Sequence, residues 1–562
     1  MAIHYGVIRR IDVRIPMRDG VNVSADIYLP DTGGPFPTVL VRTPYDNSTQ
    51  AKQGKTYASK GYAFVAVDVR GRYDSPGGEY YPYFAEAKDG YDVQQWIGRQ
   101  PWSTGKIGTR GASDLGLTQW IAAPERSEFL TCMVPRVICP DQYSQLFWPF
   151  GAFQLWMTFA WALQHSIHSK QPGLEPHEWR KALRTLPLRD MDEAIGQHLP
   201  QWKDWIDHAH YDEYWEPLNI EKRLGEVACP AYNMGGWYDL NSRETFLNFN
   251  ALRLHGRTAE ARQSKLVVGP WPHALSQSTV NGDVDFGPDS KIDLDALELR
   301  WFDYWLKGIA NGIVDEPPLH LFIMGEDVWR DEQEWPLART DWQRWQLHSG
   351  GHANTLLGDG ELSRAAPAEE PADHFVYHPE YPVPTVGGTV CCSDAIIPWA
   401  AQDQRDLEMR ADVLCYSTPS LETDLEVTGP ITLTLFAATD RRDTDWTGKL
   451  VDVGSDGYAM ILCQGIIRAR SRESLAQPTL LEPGKIYEYT IDVGVTGNLF
   501  KRGHRIRLEV SSSNFPLYDR NLNTGNPLGQ DAEIRIAHQT IHHSRAYPSH
   551  LLLPVIPRPA TR

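Results

Sequence analysis

The feature that most constrains the fold is a strand, a tight turn and a helix in direct succession around Ser113. KIGTRG (106–111) is typical of a buried strand, and LGLTQWIAA (115–123) is typical of a helix. Ser113 lies between them, with Gly111 and Gly116 on either side. Such a succession is typical of α/β proteins, in which the strands of a parallel sheet alternate with crossover helices.

The same alternation extends along the chain on both sides of this segment. Apolar runs at 38–43 and 62–70 predict strands, and residues 84–102 predict an amphipathic helix between them and Ser113. After an interruption, the strand pattern resumes at 229–239 and 264–273. The α/β domain is therefore predicted to be split in the sequence.

Two changes of pattern predict the domain boundaries. The chain loses its strand signals and becomes helical before the α/β pattern resumes, which predicts an inserted cap. A polar, Gly/Ala/Pro-rich stretch begins near residue 348, and short alternating strands follow it, as in an antiparallel β-sandwich. The predicted division is an α/β domain at 1–145 and 229–345, a helical cap at 146–228 and a jelly-roll-like β-sandwich at 346–562.

Composition and charge exclude several classes of function. A chain of 562 residues is too long for one core, so two or three domains are expected. Its net charge of −18, from 54 basic and 72 acidic residues without a basic stripe, argues against a nucleic-acid partner. Charges interrupt the N-terminal apolar runs, and no later run reaches the roughly 18 residues of a membrane span. We expect neither a signal peptide nor a membrane anchor.

The seven cysteines indicate a reducing compartment. They are odd in number and include no CxxC pair, which favours reduced thiols in a cytoplasmic protein over a disulfide framework or a zinc site. The adjacent pair Cys391 and Cys392 is expected to alternate between the two faces of a strand. We expect neither a metal nor an organic cofactor.

Ser113 has the sequence context of an activated nucleophile. A serine on a sharp strand-to-helix turn is lifted clear of the sheet, and the N–H groups of the helix point toward the reacting carbonyl. The spacing is G-x-S-x-x-G rather than the commoner G-x-S-x-G, because Leu115 stands second after the serine. A hydroxyl nucleophile needs a histidine base and a carboxylate that orients it. Asp239 and His273 each follow a predicted strand, in the order serine, acid, histidine.

Several longer motifs together resemble the cocaine esterase and X-prolyl dipeptidyl aminopeptidase family of serine acyl hydrolases. The resemblance covers nearly the whole chain and is weakest in the cap. The motifs that carry it are RTPYD (42–46), VDVRGRYDSPGGEY (67–80), DGYDVQQWIGRQPWSTGKIGTRGASDLGLTQW (89–120), GGWYD (235–239), GPWPH (269–273) and SSSNFPLYDRNLNTG (511–525).

The resemblance implies both a fold and a set of catalytic roles. It implies an α/β-hydrolase domain, a helical cap over the active site and a C-terminal jelly-roll-like domain. Carried over residue by residue, Ser113 matches the nucleophile, Asp239 the triad acid and His273 the general base. Tyr45 matches the hydroxyl half of the oxyanion hole, and the backbone N–H of Asp114 matches the other half.

Asp114 departs from the family pattern, in which a tyrosine follows the nucleophile. A carboxylate aimed at the oxyanion would raise the barrier, since like charges about 4 Å apart repel by roughly 4 kcal/mol at an effective dielectric of 20. Three interpretations stay open at this point. The side chain is turned toward other donors, it binds the free amine of a substrate, or it acts as a protonated acid in a reaction other than simple hydrolysis.

Aromatic residues of the cap predict the substrate pocket. Core packing is the ordinary explanation for such residues on helices. The resemblance, however, implies that Trp161 and Trp148 form walls of an acyl pocket. Phe153, an aromatic residue of the first predicted cap helix, is a further candidate for substrate binding. A bulky or aromatic acyl group follows from that prediction.

The predicted function is a serine hydrolase that cleaves an ester or amide of a small molecule through an acyl-enzyme. One alternative is an aminopeptidase or α-amino acid ester hydrolase that recognises a free amine through Asp114. An alternative of another class is a binding protein on a decayed hydrolase frame, against which the retained Ser113, Asp239, His273 and Tyr45 argue. Relatives of this kind often form dimers, so a homodimer is a further expectation.

Overall fold

A ten-stranded mixed sheet carries the residues around Ser113. The computed structural model describes residues 4–275, 278–392 and 396–558. The strands of this sheet and of a small hairpin beyond it are β1 (Val7–Pro16), β2 (Asn22–Pro30), β3 (Phe36–Thr43), β4 (Ala63–Asp68), β5 (Ser103–Ala112), β6 (Leu130–Arg136), β7 (Tyr232–Tyr238), β8 (Lys265–Pro272), β9 (Val280–Asn281), β10 (Val284–Asp285), β11 (Leu319–Ile323) and β12 (Val328–Glu332).

The order of the strands is that of an open α/β sheet. It runs β1-β2-β4-β3-β5-β6-β7-β8-β11-β12, and β9 and β10 form a separate two-stranded sheet. From β4 to β11 along this order every neighbouring pair is parallel, whereas β1, β2 and β12 join antiparallel. The central strands β3, β4, β7 and β8 are almost wholly buried, as expected for strands covered on both faces.

Helices connect these strands and form the cap. None of them is long and apolar enough to cross a bilayer, within the part of the chain that the structure describes. They are α1 (Ala51–Ser59), α2 (Glu86–Gly98), α3 (Asp114–Ala122), α4 (Leu155–His165), α5 (Pro176–Ala182), α6 (Met191–Ala194), α7 (Pro200–Asp207), α8 (Ser242–His255) and α9 (Leu294–Lys307). Helices α4 to α7 lie between β6 and β7, within the range predicted for the cap.

A second sheet of eleven strands makes up the C-terminal domain. Its elements are β13 (Asp341–His348), β14 (Glu361–Ser363), β15 (Asp373–Tyr377), α10 (Arg405–Glu408), β16 (Leu414–Ser417), β17 (Leu425–Thr439), β18 (Asp445–Val453), β19 (Ala459–Arg468), β20 (Tyr487–Phe500), β21 (Arg505–Ser511), β22 (Ala537–His542) and β23 (His550–Ile556). The chain changes from the first sheet to the second between β12 and β13, a few residues before position 346.

A buried ionic cluster joins the β-domain to the cap. The carboxylate of Asp519 accepts a hydrogen bond from the backbone N–H of Phe153 at 2.9 Å, and the Asp519 N–H donates to the Phe153 carbonyl at 2.8 Å. Arg468, which is fully buried, donates to both Asp519 and Asp445 at 2.8 Å. Because a buried arginine must be paired, this cluster fixes the cap against the β-domain.

Strands β7 and β8 approach each other closely near their carboxyl ends. Gly236 of β7 pairs with Gly269 of β8, and a β-carbon on Gly236 would lie 2.0 Å from the carbonyl oxygen of Trp271. No side chain other than hydrogen fits that space. Asp239 and His273 immediately follow these two strands, so the close approach sets the distance between them.

Replacing Gly236 by alanine tests this constraint. We expect Gly236→Ala to destabilise the protein by about 1–3 kcal/mol, since the added methyl group has to push the two backbones apart. The measurement is the midpoint of thermal unfolding. Gly33→Ala is the matched control, because a β-carbon there meets no atom of the described residues within 4 Å. Equal midpoints for the two variants would contradict the proposed constraint.

Candidate active site

Ser113 occupies a strained turn between β5 and α3. Its backbone has φ 57° and ψ −128°, a conformation that side chains rarely adopt and that is typical of a nucleophile elbow. The Ser113 N–H donates to the carbonyl of Arg136 at 3.0 Å, which fixes the turn to the end of β6. A β-carbon on Gly116 would lie 2.9 Å from that same carbonyl. The glycine in G-x-S-x-x-G is therefore needed where α3 passes over β6.

Asp239 and His273 form a hydrogen-bonded pair. The Nδ1 of His273 lies 2.5 Å from Oδ2 of Asp239, and the other carboxylate oxygen accepts the N–H of Asn241 at 2.8 Å. Asp239 is fully buried. The Nε2 of His273 is buried and has no hydrogen-bond partner among the described residues. The pair thus holds an imidazole whose Nε2 lone pair is free to accept a proton.

Ser113, His273 and Tyr45 line one cavity of about 240 Å³ under the cap. Its walls come from the first sheet, from helix α4 and from a loop of the β-domain. The lining residues are Tyr45, Tyr83, Ser113, Asp114, Ile138, Leu146, Met157, Ala160, Trp161, Gln164, His165, Leu240, Asn241, His273, Cys391 and Cys392. The structure therefore brings together the residues that the sequence predicted for nucleophile, base and oxyanion hole.

The carboxylate of Asp114 is turned toward three side-chain donors. Tyr83 donates to Oδ1 at 3.0 Å, and the indole N–H of Trp161 donates to Oδ2 at 2.8 Å. The Tyr45 hydroxyl donates to Oδ2 as well, at short range. Burial raises the pKa of the Asp114 carboxyl, while the hydrogen bonds from Tyr45, Tyr83 and Trp161 act in the opposite direction.

Tyr45 shares this network. Burial, followed by the nearby Asp114 carboxylate, raises the pKa of its hydroxyl well above the ordinary value, so the phenol keeps its proton. The Trp161 indole N–H lies 3.1 Å from the same hydroxyl oxygen. Tyr45 has only one hydroxyl hydrogen, and in this arrangement that hydrogen points to Asp114.

Of the three aromatic residues predicted to bind substrate, one lines the cavity and two do not. Trp161 lies in the cavity wall. Trp148 and Phe153 are fully buried and pack on each other with ring centroids 4.7 Å apart. The indole of Trp148 donates to the carbonyl of Trp205 at 3.0 Å. Their rings pack inside the core that the cap shares with the β-domain, and neither residue is among those that line the cavity, so their binding of substrate stays a prediction.

Other residues of the cavity were missed by the sequence analysis. Cys391 and Cys392 were expected in a strand as reduced thiols, and this prediction is wrong. They lie in a loop outside any strand, and their sulfur atoms are bonded to each other. Tyr83 was also missed, although it stands in an aromatic run, EYYPYF (79–84), that overlaps the end of the motif VDVRGRYDSPGGEY (67–80).

Comparisons with known proteins agree with this architecture. The model of the X-Pro dipeptidyl-peptidase (S15 family) matches residues 19–275, and that of the X-Pro dipeptidyl-peptidase C-terminal non-catalytic domain matches residues 311–552. A cocaine esterase from Rhodococcus sp. (strain MB1 Bresler) is 38% identical, over 97% of this chain and 98% of its own.

Two solved structures share the whole fold. An aminopeptidase from a marine sediment archaeon, Thaumarchaeota archaeon, has a TM-score of 0.85 and 26% identity and covers 98% of this chain and 97% of its own. An α-amino acid ester hydrolase has a TM-score of 0.84 and 27% identity, over 99% of this chain and 97% of its own. With an α/β-hydrolase domain, a β-sandwich and a relative this similar along its whole length, the chain belongs to the cocaine esterase and X-Pro dipeptidyl-peptidase family of serine hydrolases.

Proposed function

We propose that the protein hydrolyses a small ester by acyl transfer to Ser113. The observation that carries this proposal is the Asp239–His273 pair, whose free Nε2 shares a cavity with Ser113. His273 takes the proton of the Ser113 hydroxyl as its oxygen attacks the carbonyl, and then gives that proton to the leaving alcohol. Water, activated in the same way, releases the acid and restores the serine. Asp239 orients the imidazole and stabilises its charged form.

The oxyanion is assigned to two donors. One is the backbone N–H of Asp114, the first residue of α3, where the helix dipole favours negative charge. The other is the Tyr45 hydroxyl, which has to leave the Asp114 carboxylate in order to donate to the oxyanion. A stronger hydrogen bond between Tyr45 and Asp114 therefore raises the activation free energy of the reaction.

The surroundings of Asp114 favour a substrate without a free amine near the scissile bond. A carboxylate has about four acceptor positions, and donors from the protein occupy three of them here. Asp114 is only 6% exposed, so an incoming ammonium group would have to reach the one remaining acceptor position past the two tyrosines and the Trp161 indole. Of the three interpretations, the one in which Asp114 turns toward other donors is the best supported.

The apolar side of the cavity is consistent with a bulky acyl group. Ile138, Leu146, Met157 and Trp161 contribute to its walls, and an apolar group bound there is removed from water. We propose an ester with an apolar acyl part as the substrate class. Aminopeptidase activity is the second candidate, because a solved structure with that name shares the fold at a TM-score of 0.85.

Cellular setting and assembly are also proposals. Five buried free cysteines outside the cavity support a reducing, cytoplasmic environment: Cys132, Cys139, Cys229, Cys415 and Cys463. We also propose that the chain folds into the three predicted domains: the split α/β-hydrolase domain, the helical cap and the C-terminal β-sandwich. A homodimer stays a prediction.

Covalent labelling tests the nucleophile. A fluorophosphonate probe is expected to label the folded protein at Ser113, and Ser113→Ala is expected to lose both the label and the hydrolysis of p-nitrophenyl butyrate. Intact-mass and peptide mass spectrometry give the site. Ser144→Ala is the control, because it removes a serine outside the cavity. Labelling of Ser113→Ala at the wild-type rate would exclude the proposed mechanism.

Tyr45→Phe tests the oxyanion hole. Loss of the Tyr45 donor is expected to lower kcat for p-nitrophenyl butyrate by about 10²- to 10³-fold, with a much smaller change in KM. The reason is that the hydrogen bond from Tyr45 forms only when negative charge develops on the carbonyl oxygen in the transition state. Tyr83→Phe is the matched control, because Tyr83 also donates to Asp114 but has no assigned contact with the oxyanion. Equal effects of the two substitutions would mean that Tyr45 acts only through Asp114.

Asp114→Asn tests the cost of the carboxylate. A neutral acceptor holds the Tyr45 hydroxyl less strongly than an ionised one and does not repel the oxyanion, so we expect kcat at pH 8 to rise about five- to tenfold. Because burial raises the pKa of Asp114, the wild-type carboxyl gains a proton as the pH falls. The ratio of the two kcat values is therefore expected to be largest at high pH and to approach one at low pH.

The outcome that contradicts this role is a large loss of ester hydrolysis in Asp114→Asn. An aminoacyl p-nitroanilide, measured in parallel, distinguishes the alternatives. If the substitution abolishes only cleavage of the aminoacyl substrate, Asp114 is an amine receptor and the second candidate function is favoured.

A further inference from the structure

Two cysteine sulfurs lie next to His273 of the Asp239–His273 pair. The sulfur atoms of Cys391 and Cys392 and one ring nitrogen of His273 all lie within 4.8 Å of one another. Both cysteines line the same cavity as Ser113. Cys391 is 3% exposed, whereas Cys392 is open to solvent. The mechanism proposed above uses neither cysteine.

The hydrogen bond between His273 Nδ1 and Asp239 leaves the other ring nitrogen available as a metal ligand. Asp239 holds Nδ1, so the Nε2 atom is left as the acceptor, and it has no hydrogen-bond partner among the described residues. Metal-bound histidines commonly carry this same arrangement, with a carboxylate on one nitrogen and the metal on the other. The feature that makes His273 a general base therefore also makes it a ligand.

The two cysteines supply the rest of a three-ligand set when they are reduced. A tetrahedral zinc site has Zn–S distances of about 2.3 Å and Zn–N distances of about 2.0–2.1 Å, so its ligand atoms are roughly 3.5–3.8 Å apart. In the disulfide form all three atoms lie within 4.8 Å of one another, and after reduction the two sulfurs have to move apart to reach the spacing of a zinc site. The loop that carries the cysteines is anchored just before them, where Gly388 and Ala400 exchange backbone hydrogen bonds at 2.7 and 3.1 Å.

We propose that reduced Cys391 and Cys392, together with His273 Nε2, bind a thiophilic divalent cation of the Zn²⁺ class, which blocks the hydrolase by occupying its general base. A thiol or phosphine reductant supplies two electrons to the Cys391–Cys392 disulfide, and the two sulfurs take up two protons. The cation then displaces these two protons as it binds two thiolates and the neutral imidazole. A fourth position stays open toward the cavity for water or substrate. The disulfide form lacks the thiolates and does not bind.

Inhibition follows from the competition for one lone pair. The Nε2 atom cannot accept the Ser113 proton while it is bound to a metal ion. This part of the inference depends on the proposed function, whereas binding of the cation does not. A direct binding measurement therefore separates the two.

The test is a Co²⁺ titration of the full-length protein after reduction with a phosphine and removal of the reductant. We expect a thiolate-to-cobalt charge-transfer band that saturates at one ion per chain and that Zn²⁺ abolishes by competition. The band is expected in Ser113→Ala, which has no nucleophile, and is expected to be absent from the oxidised wild-type protein. Because the oxidised protein needs no substitution, it serves as a control that does not depend on the folding of a variant.

Substitutions identify the ligands. Cys391→Ser and Cys392→Ser are each expected to weaken Co²⁺ binding by more than the roughly 10- to 100-fold that loss of an outer-shell partner costs, and His273→Asn likewise. Cys463→Ser is the matched control, because it removes a thiol that is buried elsewhere. Thermal unfolding checks that each variant is folded.

Three outcomes would overturn the inference. They are no cobalt band in the reduced protein, an unchanged band in a folded Cys391→Ser variant, and wild-type affinity in His273→Asn. Inhibition is measured separately, as loss of p-nitrophenyl butyrate hydrolysis on addition of Zn²⁺ and recovery with a chelator, in the reduced but not the oxidised enzyme. If the protein binds Co²⁺ with the expected ligands but hydrolyses no ester, the proposed function fails and the metal site stands.

Discussion

The parallel course of the central strands is the constraint on which the active site depends. Parallel strands end at the same edge of a sheet, so the segments that follow β5, β7 and β8 meet there. The close approach at Gly236 then sets the spacing of the two loops that carry Asp239 and His273. Asp239 and His273, which lie on two different loops, thus form one hydrogen-bonded pair, and its His273 lines the same cavity as Ser113.

Asp114 shows how one substitution next to a nucleophile can be absorbed by its neighbours. A carboxylate at this position is unfavourable for an oxyanion, yet two phenols and an indole surround it and hold it at the side of the cavity. Those donors are also elements of the pocket: Tyr45 is assigned to the oxyanion, and Trp161 lies in the wall. Charge, pocket shape and oxyanion stabilisation are therefore coupled through a single buried group.

The sequence was most informative where backbone geometry restricts the residue type. Ser113, Asp239 and His273 follow strands, and the glycines around them are required by the turn and by the strand contact, so their placement was predictable from order and spacing. The placement of Trp148 and Phe153 was not predictable in this way. An aromatic side chain on a cap segment packs equally well into the core or against a ligand, and only tertiary contacts determine which of the two it does. The partners of Asp114 and the position of Cys391 depend on loops that the chain brings in from elsewhere. The catalytic roles themselves stay predictions.

The loop with Cys391 and Cys392 has a consequence for how the enzyme is made. The ribosome completes the strands that precede Ser113 and His273 well before it reaches this loop, because the loop comes later in the sequence. A hydrolase domain without the loop lacks one wall of its cavity. The second domain, which matches a model described as non-catalytic, therefore completes the cavity in which Ser113 lies.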